Sequence, residues 1–176
     1  LHLASIMSPC RFPHQSGSWF VAALLISAPI ASASAVTWDG DTSANWSDAG
    51  NWDVPPVNGD NLTFSGTGNQ TNVNDAGITS INTLTLSNGG WDIDLGASTV
   101  VVNGIVATDS SSISGTVNMT NASSRTITLD GTSSTFAVEK LILGRVNNFS
   151  TLNVNGAGNL LSLGSLQLTN GGGGNN

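Results

Sequence analysis

Thr83-Leu84-Thr85-Leu86-Ser87-Asn88-Gly89 is the stretch on which the reading of the fold turns. Its residues alternate polar and apolar through Leu86, and a short polar end then leads to Gly. Period-two alternation puts Leu84 and Leu86 on one face of a strand and both threonines on the other, and Asn-Gly turns the chain. The unit returns as Thr126-Ile127-Thr128-Leu129-Asp130-Gly131, as Thr151-Leu152-Asn153-Val154-Asn155-Gly156 and as Ser165-Leu166-Gln167-Leu168-Thr169-Asn170-Gly171. Variants fill the gaps: Trp91-Asp92-Ile93-Asp94-Leu95-Gly96, Val100-Val101-Val102-Asn103-Gly104 and Thr116-Val117-Asn118-Met119. Leu141-Ile142-Leu143-Gly144 is echoed 25 positions later by Leu166-Gln167-Leu168, and Leu152 follows Ile127 at the same interval.

Two apolar side chains per strand are too few to hold a sheet alone. Coils stacked about 4.8 Å apart pair each strand above and below and merge the apolar pairs into one column. Repetition at this period therefore predicts an all-β parallel solenoid. A β-sandwich is the competing architecture, since it also has short strands with frequent turns. Sandwich cores take aromatic anchors, and residues 92–176 contain only Phe136 and Phe149. The solenoid is the stronger reading.

Composition agrees. Only 9% of the 176 residues are charged, and the polar share falls to Asn, Thr, Ser and Gly. Globular chains average about 25% charged. Glu139 and Lys140 are the sole Glu and Lys, so long helices are not expected beyond the N-terminal segment. The net charge is -7. Arg11, Arg125, Lys140 and Arg145 form no cluster, and a duplex binder needs clustered cations to neutralise phosphates. Nucleic acid is not an expected partner.

Residues 1–35 read as a signal peptide, with Met7 as the start and residues 1–6 upstream of it. Arg11 supplies the positive charge, and Trp19 to Ile26 supplies an apolar run that Pro29 breaks. Ala31-Ser32-Ala33-Ser34-Ala35 offers cleavage after Ala33 or Ala35. That run is far short of the roughly 20 apolar residues that span a bilayer, so no membrane span is expected after cleavage. Cleavage also removes Cys10, His2 and His14, which leaves a chain without Cys, His or Tyr.

The mature chain divides into a Trp/Asp-rich segment, residues 36–77, expected to cap the stack, and solenoid rungs over residues 78–176. The last rung runs into Gly171-Gly172-Gly173-Gly174-Asn175-Asn176 without an evident cap, and Leu1 stands where a Met would. The chain is accordingly expected to be an N-terminal fragment of a longer protein.

Thr37-Trp38-Asp39-Gly40-Asp41, Asn45-Trp46-Ser47-Asp48, Asn51-Trp52-Asp53, Pro55-Pro56 and Gly59-Asp60-Asn61-Leu62-Thr63-Phe64 form the most specific pattern in the chain. It resembles the opening of bacterial surface and secreted proteins built from autotransporter-associated β-strand repeats. The resemblance continues more loosely through the Leu-x-Leu strands to the end. It implies a right-handed parallel β-helix passenger with an adhesin-like role, secreted or displayed at the cell surface of a Gram-negative-type bacterium. Many such proteins carry a C-terminal barrel or a PEP-type sorting tail, and neither lies within these 176 residues.

Three uses compete for the Trp/Asp segment. Trp38, Trp46, Trp52 and Phe64 can seal the end of the column while Asp and Asn bond the turns. Alternatively, Trp38, Trp46 and Trp52 present faces to a surface glycan. Third, Asp39, Asp41, Ser43, Asn45 and Ser47 alternate like the ligands of a structural Ca²⁺ loop. Ala44 and Gly50, however, stand where that loop needs Gly and Glu. Capping is the best supported of the three, and no cofactor is expected.

Without His or Cys, the mature chain cannot assemble the common nucleophile–base pairs. Asp92 and Asp94 are the one carboxylate pair a glycosidase could use. They lie on the outer face of a strand whose inward residues are Trp91, Ile93 and Leu95, and nothing basic is near them in sequence. The sequence therefore points to a non-catalytic exported scaffold with a glycan or protein partner. A carbohydrate-binding or carbohydrate-active β-helix module is the alternative.

Overall fold

The computed structural model describes residues 33–120, 125–131, 134–145, 151–155 and 159–170. Residues 1–32, including nearly all of the expected signal peptide, lie outside the described residues, as do 171–176. No helix among the described residues is long and apolar enough to cross a membrane.

Among the described residues ten strands make one sheet: β1 Ala35–Trp38, β2 Asn61–Phe64, β3 Thr71–Val73, β4 Ser80–Leu86, β5 Asp92–Ala107, β6 Ser111–Met119, β7 Thr126–Asp130, β8 Thr135–Arg145, β9 Thr151–Asn155 and β10 Leu160–Asn170. Every strand–strand ladder is parallel. Parallel neighbours require the chain to travel round and return, so the sheet is a coil stacked on itself about five times, a β-solenoid. The sandwich alternative required facing antiparallel sheets, and these ladders exclude it.

Three faces surround the column. On the first, Val36, Leu62, Leu84, Ile105, Ile127 and Leu152 follow one another in register. On the second, Asn72, Ile93, Ile113, Val138 and Leu163 do the same. The third begins with Ile81 beside Val102 and continues with Val100, Val117, Leu141 and Leu166 in line. Alternation decides which residues face in: Leu84 and Leu86 are fully buried, whereas Thr83 and Thr85 are half-buried. The expected partnerships of Leu141 with Leu166 and of Ile127 with Leu152 are both present.

Coil length varies along the stack. The first coil takes 26 residues, from Ala35 to Asn61, because it also carries the Trp/Asp loop. Lengths of 21 to 22 follow as Asn61, Thr83, Gly104 and Thr126 succeed one another. The interval of 25 read from the sequence belongs to the last coils, where Thr126 faces Thr151. The difference lies at the corners. Gly96 turns one of them with φ +67°, between β5 residues that pair as Asp94 with Ser114 and as Thr99 with Thr116. The inward face of each strand stays constant while the corner lengthens or shortens.

Candidate functional site

The Trp/Asp segment is built around a buried amide. Asn51 is completely enclosed, and its Oδ1 accepts the backbone N–H groups of Thr42 and Ser43, both at 2.9 Å. Its Nδ2 donates to Ser43 Oγ at 2.9 Å and to the Asn45 carbonyl at 2.8 Å. The Asn51 carbonyl accepts from the N–H groups of Asp39 and Gly40. One side chain and its own peptide thus fix the loop from 39 to 45. Asp60 acts similarly, accepting Ser34 N–H at one oxygen and Val57 N–H at the other. A single 3-10 turn, Ala49–Asn51, is capped by Asp48, whose Oδ1 accepts Gly50 N–H.

Around that frame the indoles turn inward. Trp38, Trp46 and Trp52 are 0%, 1% and 5% exposed. Their rings contact one another edge-to-face, Trp38 with Trp52 at 4.8 Å and Trp46 with Trp52 at 5.7 Å, and Phe64 joins all three. Each indole N–H is engaged: Trp38 donates to the Asn69 carbonyl, Trp46 to Asn72 Oδ1 and Trp52 to the Trp46 carbonyl. None of the three offers a ring face to a sugar. Trp52 forms an antiparallel bridge with Trp38, and Asp53 accepts Thr37 N–H at 2.7 Å while donating its own N–H to the Thr37 carbonyl. The chain thereby covers the outer edge of β1, an edge that would otherwise template pairing with another strand.

The two serine hydroxyls of the calcium-like stretch are committed to neighbouring carboxylates. Ser43 Oγ donates to Asp48, and Ser47 Oγ donates to Asp75 at 2.6 Å. That bond holds the Asp75 carboxyl below its ordinary range, with Ser47 and Trp46 backbone groups adding to the effect. Among the described residues no three Asp, Glu, His or Cys side chains come together as metal ligands would.

Polar ladders cover the lateral surface. Asn103 donates to Asn82 at 2.9 Å, and Asn82 donates to Asn61 at 2.8 Å, one amide per coil along a corner. Asp92 and Asp94 are outward and exposed on the second face, while Trp91, Ile93 and Leu95 are buried beneath them. Asp92 accepts from Ser112 Oγ at 2.7 Å, and Asp94 accepts Gly96 N–H at 2.7 Å. Shallow open depressions lie beside Asp41 and Gln70 and beside Asp92 and Ser110.

The buried polar residues that order the first coils, Asn51, Asp60, Asn72 and Asn74, are the ones sequence reasoning missed. A buried Asn in a chain so rich in Asn carries no distinguishing mark. Asn72 alone breaks an inward position that is Ile, Val or Leu in later coils. Arg125 is a different case, 2% exposed with no hydrogen-bond partner for its Nε among the described residues, and burial lowers its pKa.

The chain matches no family model, no curated protein and no solved structure.

Proposed function

We propose that this chain is a non-catalytic, exported surface or extracellular scaffold with an adhesin-like role. One observation carries the proposal: stacked coils present neutral polar ladders at fixed spacing, as Asn61, Asn82 and Asn103 do. A parallel column of this kind is rigid along its axis and offers a long lateral surface rather than a single deep site. Residue types favour the same reading, since no His or Cys occurs after Cys10 and His14. The export signal and the resemblance to autotransporter-associated repeat proteins supply the extracellular setting. A surface glycan or a protein is the partner class.

Cell-adhesion and pull-down assays with the exported protein are expected to show retention without turnover. Hydrolysis or elimination on a polysaccharide by the purified chain would overturn the proposal. The buried indoles make a further outcome specific: replacing Trp38, Trp46 or Trp52 by Ala should cost about 3–5 kcal/mol of stability each. Thermal melting checks it. A variant that melts normally but loses glycan retention would return the segment to a sugar-binding role.

A further inference from the structure

The first face of the solenoid differs from the other two in its outward chemistry. Thr83 with Thr85 on β4, and Thr126 with Thr128 on β7, take alternate outward positions, Thr37 and Thr63 lie in register with Thr85, and β7 then ends on the exposed Asp130. No charged side chain occupies an outward position of this face from Ala35 to Thr128. The second face carries Asp92 and Asp94, and the third carries Lys140. Nor are these hydroxyls committed elsewhere: those of Thr63, Thr83, Thr85, Thr126 and Thr128 make no hydrogen bond among the described residues. Asp92, Ser112, Asn82 and Asn103 by contrast bond to one another along the stack.

We propose that this face binds ice. Thr37, Thr63 and Thr85 stand on consecutive coils about 4.8 Å apart, and Thr83–Thr85 and Thr126–Thr128 each lie about 6.6 Å apart along a strand, so the hydroxyls are spaced in two directions. Each β-branched side chain is stiff at χ1, so hydroxyls and methyl groups are held in place before any ligand arrives. A partner for such a surface has to be uncharged, periodic in two directions and itself rigid. A flexible chain laid on it would lose conformational freedom for contacts that are individually weak. Oxygen rows at an ice surface repeat on this same scale in two directions. Ordered water can also bond each free hydroxyl as donor or acceptor.

The threonines are broken at Gly104 and Val106, which set one coil between the two Thr-x-Thr strands, and the first two coils carry Ala35 and Asn61 in one of the two columns. Valine keeps the shape of threonine and lacks only the hydroxyl, whereas Gly104 leaves a hole. A Cβ placed at Gly104 would meet nothing closer than the Thr126 carbonyl oxygen at 3.8 Å, so the gap can be filled without strain.

The test uses the full chain in slowly growing ice, with ice recrystallisation as a second readout. The chain should partition into the ice and slow recrystallisation. Thr85→Lys combined with Thr128→Lys should abolish both effects, while Ser114→Lys on the second face should leave them unchanged. Gly104→Thr with Val106→Thr should raise both above the parent chain. Circular dichroism and melting confirm that each variant is folded. Exclusion of the folded parent from ice would overturn the proposal, as would equal losses from Ser114→Lys. Retention on crystalline cellulose without entry into ice would assign the face to a different lattice and overturn it too.

Discussion

Asn72 occupies an inward position of β3, beside Ile93 in the next coil, and is completely buried. An amide is tolerable there because Trp46 Nε1 donates to its Oδ1 at 2.7 Å, so each group satisfies the other away from water. Replacing Asn72 by Leu would restore the apolar column but strand the indole N–H. The loss should be about 1–3 kcal/mol, read as a lower urea midpoint. Ser111 poses the opposite case. It is also inward, in register with Phe136, and its Oγ is buried without a partner among the described residues. Ser111→Ala removes an unsatisfied hydroxyl with little change of volume, so the variant should melt at or above the parent temperature, by up to about 1 kcal/mol. Neither role was legible in advance. Alternation shows that a position faces inward, but it does not show whether a polar residue there has found a partner.

Among the elements, legibility followed the length of the alternating run. Thr83-Leu84-Thr85-Leu86 and Thr126-Ile127-Thr128-Leu129 read correctly as strands because inward and outward residues differ in kind at every step. The 16-residue β5 did not read as one strand. It continues through the corner at Gly96, where side-chain alternation says nothing about the direction of the backbone. Asn61-Leu62-Thr63-Phe64 lay inside the segment read as the cap, yet it pairs with both β1 and β4, so the stacking begins within that segment. The aromatics masked the alternation, since Phe64 serves both the rung and the indole cluster. A pH test addresses the link between the Trp46 loop and the second face. Asp75 accepts both Ser47 N–H and Ser47 Oγ, which lowers its pKa from the unfolded-chain value near 3.8. A group whose pKa is depressed by folding stabilises the fold above its unfolded value, and that contribution fades as pH falls through the folded value. Asp75 is exposed, so the effect is local and small. Amide exchange at Ser47 should accelerate as pH drops below about 3.8, after correction for intrinsic rates. Asp75→Asn should remove that pH dependence.

For the molecule as a whole, each coil rests only on its neighbours, and after residue 35 no cysteine is available to staple it. Stability then approximates a sum of coil and coil–coil contributions, and the register makes some cuts tolerable and others ruinous. Removing residues 83–103 joins Asn82 to Gly104. Asn61 then faces Gly104 as it had faced Thr83, Leu62 meets Ile105, and Asn72 meets Ile113. Every inward residue still points inward. The shortened chain should fold and melt cooperatively, with the same β signal per residue and a lower midpoint. Part of the drop comes from losing Trp91, which packs on Phe64 at 5.4 Å. Removing only residues 83–92 excises half a circuit, which brings strands of different faces into one line. With Leu62 set opposite the outward Asp94, that variant should not fold, and far-UV circular dichroism with limited proteolysis distinguishes the two. If both deletions unfold alike, the coils do not act as separable units. If both fold alike, register does not organise the stack. Only a column built coil on coil predicts that the larger cut is the milder one.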